Sequence, residues 1–138
     1  MAYERLILND VIDFALFETG SKTVGVAGCG FGGYHALNIA LKHPEKISCM
    51  LSLSGSFDIK KFIYGFYDDT CYFNNPPDYL SNLNDNWYLD KIKKMKIVLG
   101  TGEWDICLDE NKSDGYDTCE QAIEAARLFK EHCKIYLV

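Results

Sequence analysis

The tightest constraint on this chain is a crowding of glycine, Gly28-Cys29-Gly30-Phe31-Gly32-Gly33, between two apolar segments. Residues 23–28 are short, small and uncharged, as a strand covered on both faces must be. After the glycines a helix is expected from about residue 33 to Lys42, stopped by His43-Pro44. Glycine at a strand-to-helix junction marks positive φ or close backbone approach, so this turn has to be sharp. The rest of the chain follows the same alternation. A helix is expected over residues 4–19, with Leu8, Val11, Ile12 and Ala15 in one stripe that Ile7, Phe14 and Phe17 widen, and with Thr19-Gly20 as its stop. A stripe that wide calls for burial on more than one side. Further strands are expected at residues 47–54, 96–100 and 134–138, a short helix over residues 87–93, and a longer one over residues 118–131 with Ile123, Ala126, Leu128 and Phe129 inward. Strands alternating with helices predict a three-layer, doubly wound, mostly parallel sheet of about four strands with right-handed crossovers.

Two functions fit the glycine turn taken alone. Gly28, Gly30 and Gly33 satisfy G-x-G-x-x-G, the pattern that seats a dinucleotide pyrophosphate on a helix N-terminus. That use needs an acid about 20 residues on to hold the ribose, and the next strand ends Leu53-Ser54-Gly55-Ser56 with no acid before Asp58. Gly28, Gly30 and Gly32 also match G-x-S-x-G, a strained turn that lifts a nucleophile above a sheet, with Gly30 where the serine would stand.

At 138 residues the chain has the length of one domain with one core. Within it, residues 55–85 carry many aromatics with Asn, Asp and Pro and no sustained period. They predict a long excursion with a short helix near residues 59–64, the kind of segment that serves as a lid or binding feature. Apolar residues make up 48% and charged residues 25%, which excludes wholesale disorder. A net charge of −6 argues against nucleic acid or an anionic membrane as partner. The one basic cluster, Lys91 to Lys96, reads as a solvated helix end before a strand. No apolar run reaches the roughly 18 residues that span a bilayer. The six cysteines lack C-x-x-C spacing. Cys29 and Cys49 lie in apolar segments as small hydrophobes, and no metal site is expected. With charge and helical periodicity beginning at the first residues, no signal peptide is expected. Reduced thiols in the cytoplasm follow.

The text around the turn narrows the choice. Residues Ala27 to Ala36, then Leu41-Lys42-His43-Pro44, then Leu53 to Asp58, resemble the esterase family of α/β-hydrolases that includes the esterase D-like and enterochelin esterase-like proteins. The resemblance continues through Tyr72-Phe73-Asn74-Asn75-Pro76, Tyr88-Leu89 and Gly102-Glu103-Trp104-Asp105, covering about residues 3–110. Beyond that only the helix–strand pattern matches. It implies the second half of the α/β-hydrolase fold, a small ester or acyl ligand, carboxylic-ester hydrolysis through an acyl-enzyme, and neither metal nor organic cofactor.

The same resemblance puts the nucleophile at Gly30, one oxyanion donor at the backbone N–H of Phe31, and the triad acid at Asp105, with Glu103 and Asp109 as neighbouring competitors. Glycine carries no hydroxyl. Cys29 is one step along the turn and is expected to point elsewhere. The triad histidine should follow the last strand, where this sequence reaches Val138. His35 and His43 sit on or at the end of the helix after the turn, and His132 precedes the last strand. No esterase chemistry is therefore expected. The family's strands before the turn have no counterpart here, so residues 23–28 should form a sheet edge open to pairing with a second copy. A non-catalytic interaction or assembly domain is the alternative, and a dinucleotide binder the distant one.

Overall fold

A computed structural model describes residues 2–102, 106–107, 116–130 and 134–138. The chain opens with α1 (Ala2–Arg5), a π-helical stretch (Leu6–Ile12) and α2 (Asp13–Thr19). They end at Gly20, whose φ of 65° is the left-handed cap that glycine adopts without strain. Then come β1 (Val24–Cys29), α3 (Phe31–Lys42) and β2 (Ile47–Leu53). The excursion holds a 3₁₀ turn (Ile59–Phe62), α4 (Asp69–Tyr72) and α5 (Pro76–Ser81). The chain continues through α6 (Asn86–Ile92), β3 (Lys96–Gly100), β4 (Ile106–Cys107), β5 (Tyr116–Asp117), α7 (Thr118–Phe129) and β6 (Lys134–Leu137). The strands β1-β2-β3-β6 pair in that order, all parallel, as the alternating pattern predicted; β4 and β5 form a separate antiparallel pair. The sheet is that of a partial three-layer α/β fold.

One face of the sheet makes the core. Met50, Ile97 and Leu99 point under α3 and α7, where Leu37, Leu41, Ala125 and Phe129 are buried against them. Fully burying each such Leu or Ile contributes about 1.5–3 kcal/mol. The opposite face carries the alternate residues, and these are exposed in β1 and β2: Gly25, Ala27, Cys29, Cys49, Leu51 and Leu53. Two expectations are corrected here. β1 is covered on one face among the described residues, not on both, and Cys29 and Cys49 are exposed, not packed as small hydrophobes. The N-terminal helix is corrected similarly. Leu8 and Ile12 are buried, whereas Phe14 is 62% and Phe17 83% exposed, so only part of its wide stripe is used. In α7 the inward residues are Ala122, Ala125 and Phe129, with Leu128 exposed, a shift of the buried stripe by about one position.

The excursion is held to α3 by polar groups, which is why it has no apolar period. The Tyr34 hydroxyl donates to the Asn74 carbonyl at 2.6 Å, and Asn38 Nδ2 donates to Asn74 Oδ1 at 3.0 Å. Asn75, fully buried, accepts from Ile59 N at 2.9 Å and donates to Asp58 Oδ1 at 3.1 Å and Asp78 Oδ2 at 2.7 Å. Asp78 also takes Lys60 Nζ at 2.8 Å and the Tyr67 hydroxyl. Buried polar groups satisfied in this way fix one backbone course.

Candidate functional site

The glycine turn lies where β1 passes into α3, at the carboxyl ends of the parallel strands, the end at which open α/β sheets place ligands. Gly30 adopts φ 54°, ψ −123° and caps α3. Its N–H donates to the Leu53 carbonyl at 2.8 Å, which ties the turn to the end of β2. Its carbonyl accepts from Gly33 N at 3.0 Å and Tyr34 N at 3.3 Å, which starts the helix. Beside it, Ser54 takes φ 51° and donates its N–H to the Gly100 carbonyl at 2.8 Å. Two residues of positive φ therefore stand on adjacent strand ends, and of these only Ser54 carries a side chain.

Each glycine answers a different need. A Cβ on Gly28 would lie 2.1 Å from the Gly32 carbonyl oxygen, a backbone atom that cannot step aside. A Cβ on Gly33 would meet Ser52 Oγ at 2.3 Å, so this glycine lets α3 lie close on β2. Among the described residues Ser52 Oγ is itself buried without a hydrogen-bond partner, held between the backbones of Gly33 and Gly55. A Cβ on Gly30 or Gly32 would meet nothing of the described residues within 4 Å. At position 30 glycine thus serves dihedral angle and not space. A side chain there would project into an open region while bearing the strain of a left-handed φ, about 1–2 kcal/mol.

Phe31 is the first residue of α3, so its N–H has no place in the helical ladder. Its ring is 62% exposed, stacks on Tyr34 at 5.3 Å and meets His35 edge-on at 4.6 Å. His35 is also 4.6 Å from the ring of Tyr3, and its burial among these rings lowers its pKa. The Cys29 side chain lies on the open sheet face, opposite to the side on which Val26 and Gly28 sit. His43 ends α3 at its far end, with Nε2 2.9 Å from Glu4 Oε1. Asp105 and its competitors Glu103 and Asp109, and also His132, lie outside the described residues.

Around the strand ends, Leu51, Leu53, Val98, Gly100, Thr101 and Val138 border an open hollow of about 500 Å³ on the uncovered face. Among the described residues no group of three or more His, Cys, Asp or Glu could hold a metal ion, and no helix is long and apolar enough to cross a membrane. The acid that a dinucleotide would need fares poorly. Asp58 Oδ1 accepts from Lys60 N at 3.0 Å and from Asn75, which commits it to capping the 3₁₀ turn.

Sequence reasoning missed α4 and α5, although their signals were present. Asp68 caps α4 by accepting from Cys71 N at 2.8 Å, and Asn75-Pro76 is a helix start with proline in the first turn. Residues that short leave no periodicity to detect.

The fold is a partial α/β fold of the kind that solved α/β-hydrolases contain. No protein-family model and no curated protein sequence matches the chain at a significant level. Solved structures do. A ferulic acid esterase superposes with a TM-score of 0.67 at 13% identity, over 99% of this chain and 52% of its own. An S-formylglutathione hydrolase from Agrobacterium tumefaciens gives 0.57 at 14%, over 97% and 47%. The acylaminoacyl peptidase of Pyrococcus horikoshii gives 0.59 at 17%, over 98% and 22%. The chain spans about half the length of the two esterase-type structures and less of the peptidase. At such identities the likeness is one of fold.

Proposed function

We propose that this chain is an esterase-like α/β-hydrolase domain that no longer hydrolyses esters, its ancestral reaction being carboxylic-ester hydrolysis through a Ser-Asp-His triad. The observation that carries this is Gly30: a residue at φ 54° in a sharp strand-to-helix turn, at the carboxyl end of a parallel strand, with hydrogen in place of a side chain. His35 is ringed by Tyr3, Phe31 and Tyr34, and His43 is paired with Glu4, so in this reading neither serves as the base for a group at position 30. In this reading Phe31 N–H is the surviving oxyanion donor and Asp105 the surviving acid. The ligand class is a small ester or acyl compound, no cofactor is needed, and the exposed unpaired thiols of Cys29 and Cys49 suit the reducing cytoplasm. The test is hydrolysis of p-nitrophenyl acetate by the unmodified chain, which should not exceed buffer. Rapid turnover abolished by Cys29→Ala would show that the nucleophile is the neighbouring thiol.

A second reading, an assembly domain, has its own support. Among the described residues β1 is a sheet edge free of charge and proline, and the face beside it exposes Leu51 and Leu53. A second copy pairing along β1 would cover that edge. Light scattering should then show dimers, and a cooperatively melting monomer would remove this reading while leaving the first intact.

A further inference from the structure

The far end of α3 holds a cavity that the glycine turn does not touch. It measures about 490 Å³, within the range of small-ligand pockets. Its lining includes four aromatic rings, those of Tyr72, Phe73, Tyr79 and Tyr88, together with Leu41 and Leu83. Rings in that number present flat π surfaces, which favour a planar aromatic guest.

The polar groups decide what kind of aromatic. Asn82 Nδ2 donates to the Tyr72 hydroxyl at 3.1 Å and to the Asp78 carbonyl at 3.0 Å, which uses its amide hydrogens. Asn84 Nδ2 donates to the Asn82 carbonyl at 3.2 Å. Among the described residues the two amide oxygens take no donor, and the Tyr72 hydroxyl, already an acceptor, still has its own proton to give. The cavity therefore offers two acceptors and one donor close to its rings. Its charged groups are already engaged: Lys42 Nζ lies 2.8 Å and His43 Nε2 2.9 Å from the oxygens of Glu4, and Asp85 caps α6, its Oδ1 accepting from Trp87 N at 2.8 Å and Tyr88 N at 3.4 Å. A charged guest would compete with these contacts; a neutral one would not.

We propose that this cavity binds a neutral, planar phenol of one or two rings, stacked among the tyrosines, with its hydroxyl donating to the amide oxygen of Asn84 and accepting from Tyr72. This site is independent of any chemistry at Gly30. The probe is 2-naphthol, with 2-methoxynaphthalene as the analogue that cannot donate, each measured by equilibrium dialysis. Saturable one-to-one binding of 2-naphthol is expected, with the methyl ether about fivefold weaker for the lost hydrogen bond, a difference of about 1 kcal/mol. Tyr88→Ala should weaken 2-naphthol about tenfold. Asn84→Leu, in an exposed loop where folding is not at stake, should reduce the naphthol and its ether to similar affinities. Tyr136→Ser, on the open sheet face, should change nothing. Uptake that fails to saturate, equal binding of naphthol and ether by the unmodified chain, or loss on Tyr136→Ser with retention in Asn84→Leu would overturn the proposal.

Discussion

The two ends of α3 differ in what they have kept. At its start the backbone is shaped with care and carries almost no side chains: Gly28, Gly30, Gly32 and Gly33 surround a turn whose dihedral angles are fixed by bonds to Leu53, Gly33 and Tyr34. At its end the side chains are long, polar and paired, with Lys42 and His43 sharing the carboxylate of Glu4 and Asn74 bridging Asn38 and Lys42. The first end depends on the absence of atoms and the second on their presence. Backbone geometry and side-chain chemistry are thus specified separately at the two ends of one helix.

Substitutions should separate the two ends, the largest effect first. Gly28→Ala would force a Cβ to 2.1 Å from the Gly32 oxygen, so a loss of about 3 kcal/mol is expected in denaturant melts. Gly30→Ala, which meets only dihedral strain, should cost about 1–2 kcal/mol. Equal losses at the two positions would mean that crowding does not shape the turn. At the polar end, Asn74→Ala leaves Asn38 Nδ2 without its acceptor in a buried setting, while Asn38 Oδ1 keeps the Tyr79 hydroxyl, and it removes an acceptor from Lys42. About 1–3 kcal/mol should be lost. A neutral result there would show that the excursion is held to α3 by packing alone.

The smallest effect is one of pH. Burial alone would raise the pKa of Glu4, but hydrogen bonds and charge from Lys42 and His43 outweigh it and hold the carboxyl below its ordinary value. A carboxylate depressed in the folded state adds stability above its unfolded pKa of about 4.3, and that increment disappears as pH falls through the lower folded value. Glu4→Gln should therefore destabilise at neutral pH by about 1 kcal/mol or less, as partly exposed pairs do. The difference from the parent should shrink below about pH 4. A difference constant from pH 7 to 3 would show that the pair does not ionise as described.

Most of the fold was legible because parallel strands and their helices are periodic and punctuated. The strand over residues 96–100 was read to the residue, and Thr19-Gly20 and His43-Pro44 marked helix ends where the structure has them. What sequence could not show was which face of the sheet is covered. Leu51 and Met50 are both apolar neighbours in β2, yet Met50 is buried and Leu51 is 36% exposed. Only the placement of the helices decides between them. The candidate site was half legible. Glycine spacing located the turn, but nothing in the pattern separates a glycine needed for space, as at 28, from one needed for its angle, as at 30. The aromatic cavity escaped notice because its rings come from three separate segments, Tyr72-Phe73, Tyr79 and Tyr88, with no common period.

We propose that Gly30 is the empty nucleophile position of a hydrolase turn, and among the described residues His35 and His43 are both engaged elsewhere. The most direct measurement is made on Gly30→Ser with p-nitrophenyl acetate in stopped flow. The added side chain meets no atom within 4 Å at its Cβ, so the variant should fold, with a modest loss of melting temperature from the strained φ. On the proposed reading it should give neither a burst of nitrophenol nor turnover above buffer, because His35 is engaged with Tyr3, Phe31 and Tyr34 and His43 with Glu4. A burst followed by steady turnover would show that a working base lies within reach of position 30, and would contradict the claim that this chain has lost the chemistry of its fold.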